Sequence, residues 1–148
     1  MRPEEIRPDT KLCTILGYNA QTSNRRRYFN RILKLNGINA TAIALNIKDE
    51  HFNFTMKNLP NSKVDRVILE DEFQREILEF CKNRAELERA EFIEVDSGEI
   101  IGHTLDISSV VEKVEFFDEN MILATKMMIL ANRWYGAKID LDLIPTII

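Results

Sequence analysis

Short apolar runs alternate with stretches of helical spacing over the first half of the chain. Residues 12–17 are largely apolar and end at Gly17, which is typical of a buried strand closed by a glycine turn. Apolar residues then recur at helical spacing over residues 25–36, and Gly37 is a natural helix stop. The pattern therefore predicts a strand, a helix and a second strand at residues 40–47.

The same alternation continues after the second strand. Asp49 is placed to cap a helix that Pro60 stops, and residues 64–69 predict a third strand. Asp71 is then expected to open another helix, whose apolar side would carry Phe73, Ile77, Leu78 and Cys81. Strands joined through helices imply mostly parallel pairing in a sheet with helices on both faces.

A hairpin and a helical C-terminal third complete the predicted architecture. After a polar helical stretch at residues 84–89, the apolar segments 92–95 and 100–102 flank Asp96-Ser97-Gly98-Glu99, which is a hairpin signal. The rest is expected to be helical, first from Ser108 or Ser109 to Phe116 or Phe117, then from Asp118 to about Tyr135. The predicted fold class is α/β, as a single domain over residues 1–148, with a mostly parallel sheet, an antiparallel hairpin and helices on both faces.

Composition and charge narrow the classes of function. A chain of 148 residues with 45% hydrophobic composition can bury one core without disulfides. Cys13 and Cys81 lie in apolar runs without metal-type spacing, which favours reduced thiols and a cytoplasmic location. A net charge of -4 argues against general nucleic-acid binding. We expect neither secretion nor a membrane span, because no signal core and no run of about 20 apolar residues is present.

Four residues follow a known pattern in register. Gly17, Ser23, Asn30 and Gly37 match the opening strand-helix-strand of shikimate dehydrogenases, which runs from a strand and glycine through a His-Ser-x-Ser-Pro loop and a His-Asn pair to a second glycine. The segment 15–47 therefore resembles this family. Four positions differ from its pattern, and they hold Thr22, Arg25, Arg26 and Phe29.

Three later blocks extend the resemblance in the family's order. Gln74 stands where the family has its catalytic lysine, and Ile68 and Glu70 replace the asparagine and threonine that hold substrate hydroxyls. Gly102 and Asp106 are retained in the block that resembles the family's Gly-Tyr-Asn-Thr-Asp. Residues 121–136 resemble the family's closing helix, and Lys126 occupies about the position of the substrate-binding glutamine in that helix. The resemblance implies a substrate-binding domain from which the NADP-binding Rossmann domain, which would follow Asp106, is missing.

Dehydrogenase chemistry is not expected from these residues. The chain has five glycines, and none form the G-x-G-x-x-G/A turn that holds a pyrophosphate. Gln74 cannot accept a proton as a lysine of lowered pKa can. With only His51 and His103, no metal motif is found, so we assign no cofactor, no metal and no confident catalytic residue.

Each retained polar residue has a structural alternative. Asp106 could hydrogen-bond a polyol, but capping a helix near Ser108 is the favoured role, and Ser23 could equally contact a ligand or cap the first helix. The cluster Arg25-Arg26-Arg27 could bind an anion or form a solvated or internally paired face. Lys126 is the more unusual charge, since it lies in an apolar helix. It could point into the family's substrate cleft and meet Asp106, or it could mark the solvent-exposed side of the helix.

Three functions remain open. The leading hypothesis is a non-catalytic module that binds a small polar or anionic ligand in a remodelled cleft, with candidate residues Ser23, Arg25, Asn30, Gln74, Asp106 and Lys126. The rival is a structural or regulatory protein that acts through protein contacts. The third is cofactor-independent acid-base chemistry on a cyclic polyol by Asp106 and Lys126. A homodimer through the Met-rich last helix or the tail at residues 139–148 is compatible with the first two.

Overall fold

A computed structural model describes residues 6–148 of the chain. Its strands are β1 (Lys11–Gly17), β2 (Ala40–Asn46), β3 (Arg66–Leu69), β4 (Phe92–Asp96) and β5 (Glu99–His103). Its α-helices are α1 (Asn24–Leu35), α2 (Asp49–Asn58), α3 (Glu119–Tyr135) and α4 (Ile144–Ile147). Short 3-10 helices lie at Ala20–Thr22, Leu59–Asn61, Asp71–Phe73, Glu76–Phe80, Arg84–Glu86, Ile107–Ser109, Val114–Phe116 and Leu141–Leu143.

The five strands form one mixed sheet in the order β2-β1-β3-β4-β5. β1 and β3 are parallel, with Thr14 opposite Val67, whereas β3-β4 and β4-β5 are antiparallel. The β4-β5 hairpin turns at Ser97 and Gly98, whose φ angles are 53° and 78°. Positive φ at both central residues gives a hairpin turn the twist that its strands need. The predicted α/β class, with a parallel part, an antiparallel hairpin and a helical C-terminal third, is confirmed.

The chain forms two compact units. The first comprises Asn24–Ala42 and Leu105–Ile148 with the described residues up to Leu12, and the second comprises Cys13–Ser23 and Ile43–Thr104. In the first unit, α1 packs on α3, and the Phe29 ring meets that of Trp134 edge-on at 6.1 Å between centroids. α4 joins them, because Ile144 and Ile147 are buried and Arg31 Nη1 donates to the Ile147 carbonyl at 2.6 Å.

The ends of α3 follow local sequence signals. The Asp118 carboxylate accepts the Met121 N–H at 2.8 Å, and Gly136 is left-handed at φ 74°, with its N–H directed to the last carbonyls of the helix. The expected helix from Asp118 to Tyr135 and its glycine stop are therefore confirmed. No helix among residues 6–148 is both long enough and apolar enough to cross a bilayer.

The second unit has its own apolar core. Phe52 and Met56 of α2 are buried together with Leu69 at the end of β3 and with Phe73 and Ile77. The rings of Phe52 and Phe73 stack at 4.6 Å between centroids. Stacked aromatic rings contribute about 0.5–1.5 kcal/mol beyond the area that they bury. Large apolar side chains therefore hold the segment after β3 against α2.

The prediction of an α-helix that begins at Asp71 is wrong. The segment forms the 3-10 helices Asp71–Phe73 and Glu76–Phe80, and the Leu78 N–H bonds to the carbonyl three residues back, on Arg75. The Gln74 carbonyl, which an α-helix would offer to Leu78, accepts the Ala90 N–H at 2.8 Å instead. A distant partner therefore replaces the helical hydrogen bond.

Three smaller expectations also need correction. The polar stretch at 84–89 is helical only at Arg84–Glu86, and the helix expected from Ser108 is reduced to Ile107–Ser109 and Val114–Phe116. The β-branched pair Val110-Val111 disfavours a continuous helix between those two turns. Asp49 is the first residue of α2 rather than its cap, since the extended Lys48 occupies the cap position and the Asp49 carboxylate accepts the Tyr18 hydroxyl.

Candidate functional site

The candidate residues are divided between the two units. The second unit holds Ser23 and Gln74, and the first holds Arg25, Asn30, Asp106 and Lys126. Among residues 6–148, no group of three or more His, Cys, Asp or Glu side chains is placed to hold a metal ion.

Asp106 caps the 3-10 helix Ile107–Ser109. Its Oδ1 accepts the Ser108 N–H at 2.9 Å and the Ser108 hydroxyl at 2.6 Å, and its carbonyl accepts the Ser109 hydroxyl at 2.9 Å. The bonds from Ser108, followed by the charge of Lys126, lower the pKa of the Asp106 carboxyl. The capping role favoured from the sequence is confirmed, and the carboxylate is exposed and ionised at neutral pH.

Lys126 lies on α3 and is half-buried, and its neighbours in sequence, Thr125 and Met127, are buried. α3 packs against the 3-10 helix that Asp106 caps, and the Lys126 ammonium is close enough to stabilise the Asp106 carboxylate. Asp106, Ser108 and Lys126 therefore form one surface of the first unit, here called the Asp106–Lys126 surface. It presents a carboxylate, a hydroxyl and an ammonium together.

Asn30 fastens α1 to β2. Its Oδ1 accepts the Ala42 N–H at 2.8 Å and its Nδ2 donates to the Ala42 carbonyl at 3.2 Å. Arg26 Nε donates to the same carbonyl at 3.2 Å. The Asn30 amide thus satisfies both peptide groups of Ala42, which is a structural role.

The arginine cluster is partly used within the unit. Besides the bond from Arg26 to Ala42, the Arg27 guanidinium lies over the Tyr28 ring at 5.3 Å from its centroid. Arg25 is half-buried at the second residue of α1. Arg26 and Arg27 therefore make contacts within the unit, to a carbonyl and to an aromatic ring.

Gln74 is enclosed in the core of the second unit. Its side chain is 2% exposed, and its Nε2 donates to the Leu69 carbonyl at 3.1 Å. Its own carbonyl is bonded to the Ala90 N–H. A carboxamide in this position holds the end of β3 and does not face solvent. Ser23, half-buried before α1, donates its backbone N–H to the Ala20 carbonyl at 3.3 Å.

A second polar site in this unit was not predicted from the sequence. Tyr18 follows β1, its N–H donates to Glu72 Oε2 at 2.8 Å, and its hydroxyl donates to Asp49. The bond to Asp49 is the main cause that raises the pKa of Tyr18 to about 12. A cleft of about 440 Å³ adjoins it, lined by Tyr18, Asn19, Asn46, Ile47, Lys48 and His51. The sequence indicated this site only through the position of Tyr18 directly after β1, because ligands often bind beyond the carboxyl ends of parallel strands.

The chain is similar to known proteins in its structure and not in its sequence. No family model and no curated protein matches the sequence. The structure is similar to shikimate dehydrogenase from Aquifex aeolicus, with a TM-score of 0.61 and 18% identity over 90% of this chain and 55% of that one. The Thermus thermophilus enzyme, solved with NADP(H) and shikimate, gives a TM-score of 0.58 and 13% identity over 86% and 54%. The chain has a shikimate dehydrogenase-like fold.

The same fold similarity extends to a reductase of another substrate. The 5-ketofructose reductase of a Gluconobacter strain matches with a TM-score of 0.59 and 10% identity over 77% of this chain and 43% of that one. This chain spans about half the length of the shikimate dehydrogenases described above. At these identities the likeness is one of fold.

Packing explains two glycines that match the shikimate dehydrogenase pattern, Gly17 and Gly102. A Cβ on Gly17 would lie 2.5 Å from Glu70 Cγ. A Cβ on Gly102 would lie 3.0–3.1 Å from Leu87, Ala90 and Cys81. Both glycines therefore allow close approach of neighbouring elements, whatever the ligand.

The connection after Asp106 is short. The residues between Asp106 and the start of α3, all of which the structure describes, contain the two 3-10 helices Ile107–Ser109 and Val114–Phe116. The resemblance places the NADP-binding domain of shikimate dehydrogenases at this point in the chain. A connection of this length cannot hold a nucleotide-binding domain, which needs several βαβ units.

Proposed function

We propose that this chain is a non-catalytic shikimate dehydrogenase-like domain that binds a small polar or anionic ligand at the Asp106–Lys126 surface. The observation that carries the proposal is the proximity, on one unit, of the exposed Asp106 carboxylate and the ammonium of the half-buried residue Lys126. A carboxylate accepts hydrogen bonds from hydroxyls, and an ammonium binds a carboxylate or phosphate. A hydroxylated acid satisfies both groups at once.

Gln74 supports the non-catalytic part of the proposal. A dehydrogenase of the shikimate type needs a group that removes the hydroxyl proton, and a carboxamide has no suitable pKa. The Gln74 amide is also enclosed and bonded to Leu69, so it does not meet a substrate. We expect no reduction of NADP with shikimate as the substrate.

The lowered pKa of Asp106 weighs against cofactor-independent acid-base chemistry. General acid-base catalysis is most effective when the pKa of the group lies near the working pH. The Ser108 bonds and Lys126 move the pKa of Asp106 further below neutrality, which makes it a weak base. A binding role uses the stable negative charge instead. The cytoplasmic location remains a prediction, based on two buried cysteines, Cys13 and Cys81, that form no disulfide.

Thermal unfolding with candidate ligands tests the proposal. Shikimate, quinate, dehydroshikimate and inorganic phosphate are added one at a time to the wild type, to Asp106→Asn and to Lys126→Met. A ligand at 100 times its Kd stabilises the folded state by about 2.7 kcal/mol. That corresponds to roughly 5–11 °C in Tm for a chain of this size. Asparagine keeps the cap at position 106, and methionine keeps the apolar stem at 126.

Asp118→Asn is the matched control, because Asp118 caps α3 with the same chemistry away from the proposed ligand groups. We expect the ligand to raise the Tm of the wild type and of Asp118→Asn. In Asp106→Asn and Lys126→Met, the apparent affinity for the ligand should be at least tenfold lower. Absence of a shift with all four compounds, or an equal shift in all variants, would reject the Asp106–Lys126 surface as the ligand site. Absence of any shift would also favour an interaction protein, whereas an equal shift in all variants would indicate that the ligand binds elsewhere on the chain.

A further inference from the structure

β2 is an edge strand whose outward peptide groups can be identified from its hydrogen bonds. The Ile47 N–H bonds to the Gly17 carbonyl, and the Asn39 carbonyl accepts the Lys11 N–H, so odd-numbered residues face β1. Along a parallel strand, the peptide groups of alternate residues point to the same side. Those of Ala42, Ala44 and Asn46 therefore point away from the sheet. Asn30 and Arg26 occupy those of Ala42, and among residues 6–148 no partner is found for those of Ala44 and Asn46, which form the open part of the edge.

The same strand carries two exposed apolar side chains. Ile43 is 39% exposed and Leu45 is 40% exposed, and both lie on one face of β2. Edge strands are usually protected from pairing by charged residues or proline. The β2 sequence Ala40–Asn46, ATAIALN, has neither. This edge is suited to receive another strand.

We propose that a second copy of this chain pairs with the edge through residues 43–46, antiparallel and about a two-fold axis. With Ala44 opposite Ala44 of the second copy, the two alanines exchange both N–H···O bonds. The same register sets Ile43 opposite Leu45 of the second copy, and Leu45 opposite Ile43. Such pairs are the close ones in an antiparallel ladder, and apolar contacts across them stabilise a sheet. The exposed side chains are thus self-complementary, as a two-fold interface requires.

The rest of the chain supports this choice of surface for a homodimer. The tail buries Ile144 and Ile147 within its own unit, and α3 buries Met127, Met128 and Trp134. These apolar groups are already covered. Because the proposed contact uses four residues a side, the dimer forms at high protein concentration and dissociates on dilution.

Sedimentation or light scattering measures the mass from about 1 μM to about 500 μM protein. The wild type is expected to rise from 17.3 kDa towards twice that value. Ala44→Pro removes the outward donor but no bond to β1, and proline is tolerated on an edge. Leu45→Lys places an ammonium against the partner's apolar side chain. Both variants should raise the dissociation constant at least tenfold, with circular dichroism confirming that they fold.

Phe54→Lys is the control, because Phe54 is 73% exposed on α2 and lies outside the proposed contact. It should dimerise like the wild type. A wild type that stays monomeric throughout would overturn self-pairing and leave the edge to a foreign strand. Dimers that survive both Ala44→Pro and Leu45→Lys would show that another surface associates. In the wild type, exchange of the Ala44 amide hydrogen should slow as concentration rises, and unchanged exchange in a dimer would also refute the register.

Discussion

Substituting lysine for Gln74 tests whether position 74 is enclosed in the core of the second unit. Gln74→Lys introduces the residue type that the resemblance places there, but the side chain at this position is 2% exposed. The ammonium therefore loses its hydration in the core, or it loses its proton. We expect the variant to be markedly less stable than Gln74→Met, which has a similar length and no charge.

The magnitude follows from two contributions. Loss of the amide leaves the buried Leu69 carbonyl without its 3.1 Å donor, which costs about 1–3 kcal/mol and applies to the methionine variant. The additional cost in the lysine variant cannot exceed that of deprotonation, about 1.36 kcal/mol for each pH unit below an unfolded pKa of about 10.4. The limit is about 4.6 kcal/mol at pH 7 and about 1.9 kcal/mol at pH 9.

Urea unfolding of both variants at several pH values measures the difference. Burial lowers the lysine pKa in the folded state, so the penalty is largest at low pH and disappears as the pH approaches the unfolded pKa. We expect the lysine variant to be about 2–4 kcal/mol less stable than the methionine variant at pH 7. Equal stabilities at pH 7, or a gap that does not narrow towards pH 9, would refute the enclosed position of residue 74.

Three further outcomes test the local structure by urea unfolding. Gly102→Ala should lose about 1–3 kcal/mol, because its Cβ would press on Leu87, Ala90 and Cys81; an unchanged midpoint would show that these groups move aside freely. Gly136→Ala should lose about 1–2 kcal/mol through its φ of 74° alone, since no atom lies within 4 Å of the added carbon. The lowered pKa of Asp106 stabilises the folded state. This stabilisation should be complete above the carboxyl pKa of the unfolded chain, and it should be lost as the pH falls through the pKa of the folded protein. The difference between the wild type and Asp106→Asn should therefore shrink in acid, and a constant difference would contradict this linkage.

Local signals explain which elements the sequence could predict. The helix from Asp118 has a capping aspartate, an apolar body and a glycine with positive φ at its end, all within one continuous segment. The hairpin has Ser97-Gly98 between two apolar segments. The structure of the segment after Asp71 depends on the bond from Ala90 to the Gln74 carbonyl, 16 residues along the chain, and helical periodicity does not contain that information.

The site was predictable to a smaller extent, for the same reason. The capping role of Asp106 follows from its place before Ile107, Ser108 and Ser109, and it needed no tertiary contact. The hydrogen bond between Tyr18 and Asp49 joins residues 31 positions apart, and the sequence had assigned Asp49 to a helix cap. Tertiary packing decided that carboxylate's partner.

The retained residues differ in how strongly they indicate a ligand. Gly17 and Gly102 are required by close contacts, Asp106 is sufficiently explained as a cap, and Gln74 supports the end of β3. None of these four needs a ligand to account for its place. Lys126 differs, because it is a charged residue in a largely buried helix and lies close enough to Asp106 to lower the pKa of that carboxyl. Its ammonium is the group on this surface that would bind an anionic ligand, so among the proposed variants Lys126→Met discriminates best between a binding domain and a scaffold.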